Sequence, residues 1–171
     1  MKHIIHILAA AELAGTLLLA GCPATLPDDY EPNETIADFF DLGTVAGSPS
    51  ESNWIGTISP MGDRDFFGIT AEDPDTLGLP ATPEHFALTV RMVPPQSPDA
   101  RNYDLYLYSD SGTELDSSTN SGSTEETVTF TWDGTVGPDE SADFRVEVRS
   151  VGGDFACVPY MLYASLEETS P

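Results

Sequence analysis

Glu84-His85-Phe86-Ala87-Leu88-Thr89-Val90-Arg91-Met92-Val93 is the stretch whose period decides the fold. Phe86, Leu88, Val90 and Met92 recur at every second position, with Thr89 and Arg91 between them. Successive side chains of a strand point to opposite faces, so this pattern is a strand with one buried face. Pro94-Pro95 ends it, because proline has no N–H for a ladder. The same period recurs downstream. Leu105 and Leu107 alternate with Asp104, Tyr106 and Tyr108 over residues 102–109. Asp110-Ser111-Gly112 is a turn signal, with residues 113–115 pairing back as a hairpin. Val128, Phe130 and Trp132 share a face over 127–133. Over 143–150, Phe144, Val146 and Val148 face inward while Arg145, Glu147 and Arg149 face outward. Tyr160, Leu162, Ala164 and Leu166 line a closing strand over 157–166.

Upstream, residues 54–59 and 65–70 read as strands. Residues 43–53 read as a loop, and residues 35–42 as a single helical turn or an irregular packed segment. That makes about eight short strands separated by turns, in a chain with 14 Gly and 14 Pro. The expectation is an all-β sandwich forming one domain over residues 29–167. A length of 171 residues suits a single core after an N-terminal signal is removed.

The first 21 residues read as an export signal. Met1-Lys2-His3 is a basic start, and Ile4 to Ala20 is mostly apolar, interrupted by Glu12. The clean run from Leu13 to Ala20 is too short to span a bilayer. Leu19-Ala20-Gly21-Cys22 resembles the lipobox of bacterial lipoproteins. The resemblance implies cleavage before Cys22 and lipidation of that cysteine, so that acyl chains alone attach the protein to a membrane. Residues 23–28 have the composition of a tether. Pro23 follows the cysteine where an inner-membrane retention aspartate would stand. By that analogy the protein resides at the outer membrane.

The net charge of −23 excludes whole classes of partner. The only lysine, Lys2, lies in the signal, so 28 acids face five arginines in the remainder. Nucleic acid and anionic lipid surfaces both require basic patches, so neither is a direct partner.

Two acidic segments supply candidate metal ligands. Asp29-Tyr30-Glu31-Pro32-Asn33-Glu34 is answered by Gly62-Asp63-Arg64-Asp65-Phe66-Phe67. In extended backbone Asp29, Glu31 and Asn33 share one face, and Asp63 and Asp65 share another. Side by side, the segments offer Asp29, Glu31, Asn33, Glu34, Asp63 and Asp65 as hard oxygen donors. Ca²⁺ takes roughly six to eight oxygens in irregular geometry, whereas Mg²⁺ requires a near-ideal octahedron. The alternative is that Arg64 neutralises its neighbours without any metal.

The order D-x-E-P-N-E, then Gly56-Thr57-Ile58, then G-D-x-D-F-F, then Tyr103-Asp104-Leu105-Tyr106-Leu107-Tyr108 resembles the bacterial pre-peptidase C-terminal domain family. The closing Pro159-Tyr160-Met161-Leu162-Tyr163 suits that family as well, and the resemblance spans about residues 29–166. It implies a jelly-roll-like β-sandwich, a module type usually appended to exported proteases. Some members, the collagen-binding domains of clostridial collagenases among them, hold calcium through this N-terminal acidic segment and the Asp pair. Carried over, Glu31, Asn33, Glu34, Asp63 and Asp65 are the implied Ca²⁺ ligands, with Asp29 at the margin of the set.

Catalytic patterns do not emerge. Beyond the signal, His85 is the only histidine, and no G-x-S-x-G elbow, H-E-x-x-H helix or phosphate-binding glycine loop occurs. Cys157 reads as a small buried apolar group. Tyr106 and Tyr108, with Tyr103 or Tyr163, offer a candidate platform for a polymer or glycan if Leu105 and Leu107 face the core. The sequence therefore points to a non-enzymatic, lipid-anchored envelope module that binds Ca²⁺ and a protein, glycan or matrix polymer. The alternatives are a subunit of an envelope complex with no ligand of its own, or a carboxylate-dependent hydrolase.

Overall fold

The computed structural model describes residues 29–47, 51–60, 62–72, 85–134, 141–152 and 158–169. The export signal, Cys22, the tether and Cys157 lie outside the described residues. Nine strands run in chain order: β1 (Phe40–Ala46), β2 (Glu51–Gly56), β3 (Arg64–Glu72), β4 (His85–Val93), β5 (Tyr103–Ser109), β6 (Glu114–Ser118), β7 (Glu126–Asp133), β8 (Ala142–Ser150) and β9 (Tyr160–Thr169). They form two sheets, ordered β1-β3-β8-β5-β6 and β2-β9-β4-β7.

Strands β2 to β9 alone give the orders 3-8-5-6 and 2-9-4-7, the two interleaved four-stranded sheets of a jelly roll. All their pairings are antiparallel. Strand β1 is an addition that pairs with β3 in parallel and extends one sheet by an edge. Its residues were read above as the end of a helical turn or irregular packed segment (35–42) and the start of a loop (43–53), so the described strands number nine rather than about eight. The physical reason is local: residues 40–46 are mostly exposed, and an edge strand with one buried valine, Val45, carries no period-two signal. Strand β2 likewise starts at Glu51, inside the same stretch read as loop. Residues 35–38 form one turn, with Thr35 Oγ1 accepting from the Asp38 amide at 3.1 Å.

The founding pattern behaves as its period requires. Phe86, Leu88, Val90 and Met92 are all at most 1% exposed. Leu88 sits opposite Phe130 on one side and Leu166 on the other. From the facing sheet come Phe67, Ile69, Leu105, Leu107, Phe144, Val146 and Val148, which join the same apolar cluster. Each such side chain contributes roughly 1.5–3 kcal/mol relative to leaving it in water. With the inner faces committed, the outward residues of β3, β8 and β5 form one polar and aromatic surface.

Candidate metal centre

The start of β3 and the chain preceding β1 build the site. Gly62, at φ +86°, turns the chain into Asp63, a conformation that glycine tolerates without a Cβ penalty. The Asp63 carboxylate holds that turn, accepting from the Ser59 amide at 2.8 Å and the Arg64 amide at 2.9 Å. Asp65 then points inward at the rim of the core and is fully buried. The Tyr160 hydroxyl donates to Asp65 Oδ2. Gly56 makes room for this, because a Cβ there would collide with the Tyr160 phenol.

The N-terminal segment docks against this strand. The Phe66 amide donates to the Asn33 carbonyl at 2.8 Å. The Tyr30 ring packs edge-on to Phe67, with centroids 5.5 Å apart, and also meets Phe40. Glu31 Oε2 accepts from the Asn33 amide at 3.1 Å. One carboxylate oxygen from each of Glu31, Asp63 and Asp65 lies within 4.8 Å of the others.

Asn33 adds the informative detail. It is fully buried, and neither its Oδ1 nor its Nδ2 has a hydrogen-bonding partner among the described residues. A buried amide left this way costs about 1–3 kcal/mol unless something engages it. The donor set is all oxygen, which suits a hard cation such as Ca²⁺ better than a softer metal.

Of the six ligands expected from the sequence, the structure brings three carboxylates together and buries Asn33 beside them. Asp29 and Glu34 are not in the carboxylate cluster. Asp29 is exposed in a turn, so the simple alternation of Asp29, Glu31 and Asn33 along an extended segment does not hold. Glu34 instead lines a groove with Arg64.

The tyrosine platform does not assemble as expected. Tyr103 faces the core at 0% exposure, edge-on to Tyr160, because it shares the inward face of β5 with Leu105 and Leu107. Tyr163 lies on the outer face of the other sheet, under the Arg91 guanidinium at 4.0 Å. Tyr106 and Tyr108 do point outward, yet Tyr106 is covered by Arg149 at 3.8 Å from its ring centroid. Tyr108 donates to Glu147 at 2.8 Å. Burial pushes the Tyr106 phenol up, with Asp104 adding to the rise and the Arg149 guanidinium opposing it. Burial, reinforced by the bond to Glu147, raises Tyr108 further.

Glu147 is the residue that sequence reasoning missed. Its outward position was legible, but its complete burial was not. Arg64 contacts it at 2.6 Å, and Arg149 stands at 3.8 Å. These three residues sit on two strands, and no spacing in the sequence announces their meeting. No protein-family model matches the chain, and no curated protein matches it either.

Proposed function

We propose that this chain is a non-enzymatic, lipid-anchored envelope module whose jelly roll is stapled by one Ca²⁺ and serves to bind a protein, glycan or matrix polymer. The convergence of Glu31, Asp63 and Asp65 beside the buried, unengaged Asn33 amide carries the calcium reading. The ion ties the N-terminal segment to the first residues of β3 and offsets repulsion among three close carboxylates. Asn33 Oδ1 and water complete its coordination. The lipobox-like Leu19-Ala20-Gly21-Cys22 supports the anchor, and Pro23 supports an outer-membrane destination. The motif order supports kinship with pre-peptidase C-terminal domains.

Calcium titration of residues 23–171, with thermal melting, tests the reading. The expected result is one saturable site and stabilisation of about 2.7 kcal/mol at a hundredfold excess over Kd. Glu31→Ala and Asp63→Ala each remove the calcium-dependent rise in Tm. Identical melting in calcium and in chelator would sink the proposal.

A further inference from the structure

We propose that the groove between the N-terminal segment and the outer face of the five-stranded sheet is a binding subsite for a neutral glycan, held in shape by Glu147. The inference deepens the binding-module reading above and rests on it. The groove has a volume of about 310 Å³ and is lined by Glu34, Thr35, Ile36, Arg64, Phe66 and Tyr108. That is the lower end of the ~300–1,000 Å³ typical of small-molecule sites. Its far wall reaches the β5–β6 turn, where a Cβ on Gly112 would stand 3.5 Å from Ile36 Cδ1.

Two of the lining side chains are pinned by one buried group. Glu147 Oε1 accepts from Arg64 Nε at 2.8 Å and from Arg64 Nη2 at 2.6 Å. Its Oε2 accepts from the Tyr108 hydroxyl at 2.8 Å. A fully buried carboxylate on the outward face of a sheet is an expensive way to gain stability, since an apolar residue would do as well or better. Fixing the geometry of a recognition surface accounts for it.

The chemistry of the lining selects the ligand class. Because Glu147 meets the Arg64 charge, Arg64 offers N–H donors more than net positive charge. Glu34 offers acceptors, and Ile36, Phe66 and Tyr108 supply an apolar floor and wall. Donors, acceptors and an apolar surface together match the hydroxyls and C–H faces of a pyranose. A polyanion is opposed by the net charge of −23. A cation finds no free carboxylate in Glu147, whose oxygens are engaged by Arg64, Arg149 and Tyr108.

The test is ¹H–¹⁵N NMR titration of the full-length chain with neutral hexaoses of glucose, N-acetylglucosamine, xylose and mannose. A galacturonate hexamer and a lysine hexapeptide serve as charged probes, and every titration is run in calcium and in chelator. A neutral hexaose is expected to shift the amides of Thr35, Ile36, Phe66 and Tyr108. Ile36→Trp, which fills the groove, weakens that binding about tenfold or more. Glu147→Gln does the same and moves the Arg64 Nε–H resonance while leaving the calcium isotherm unchanged, a pattern that a merely structural role would not give. If Glu147→Gln fails to fold, Ile36→Trp decides. No shift with any neutral hexaose at about 10 mM, shifts confined to other surfaces, or shifts from a charged probe alone would overturn the proposal. Sugar shifts that persist in chelator, alongside a blank calcium titration, uphold this site while removing the calcium reading.

Discussion

At the scale of the residue, the site depends on side chains that serve two structures at once. Asp65 belongs to the carboxylate cluster and also accepts from Tyr160, whose phenol fills the space above Gly56. Gly56→Ala forces that phenol aside. It is expected to cost about 1–3 kcal/mol in chemical denaturation and to weaken calcium binding, because Asp65 loses the donor that orients it. Tyr108 gives a pH signature. Its folded phenol lies above the ordinary value near 10, so the folded state binds its proton more tightly than the unfolded chain does. The resulting stability is fully present below about pH 10 and is lost as pH rises beyond it. Urea midpoints measured from pH 8 upward should therefore fall above pH 10, and Tyr108→Phe should flatten that fall.

At the scale of the element, β1 and the segment before it decide what the outer sheet face looks like. Phe39 lies over Gly68 of β3, where a Cβ would stand 2.5 Å from the Phe39 ring. The same ring carries the Arg145 guanidinium at 3.8 Å. Gly68→Ala should displace Phe39, loosen β1 from β3 and cost about 1–3 kcal/mol, read as a lower denaturation midpoint. Faster amide exchange confined to β1 and the start of β3 would locate the damage, whereas uniform exchange across both sheets would contradict it. The core strands were legible because their apolar residues recur at every second position, a pattern that β4 turns into strictly alternating burial. Strand β1 was illegible because an edge strand has little to bury.

At the scale of the whole molecule, acidic side chains outnumber basic ones 29 to 6, and their repulsion opposes the compact state. Salt screens exposed charges over about 10 Å at 0.1 M. In chelator, Tm should rise as NaCl is raised from low concentration, and saturating calcium should reduce that dependence. A Tm that falls with NaCl would show that attractive pairs such as Arg91 with Glu51 and Glu125 dominate instead. By itself the sequence determined the all-β class, the inward faces of β4, β7, β8 and β9, and the two segments from which the carboxylates come. Period-two burial and charge composition are local properties that survive without a fold. Only the tertiary structure decided that Glu31, Asp63 and Asp65 converge without Asp29 and Glu34, that Tyr103 belongs to the core, and that Glu147 is sealed beneath Arg64 and Tyr108. Those outcomes depend on which strands become neighbours, and in a jelly roll the neighbours are far apart in the chain.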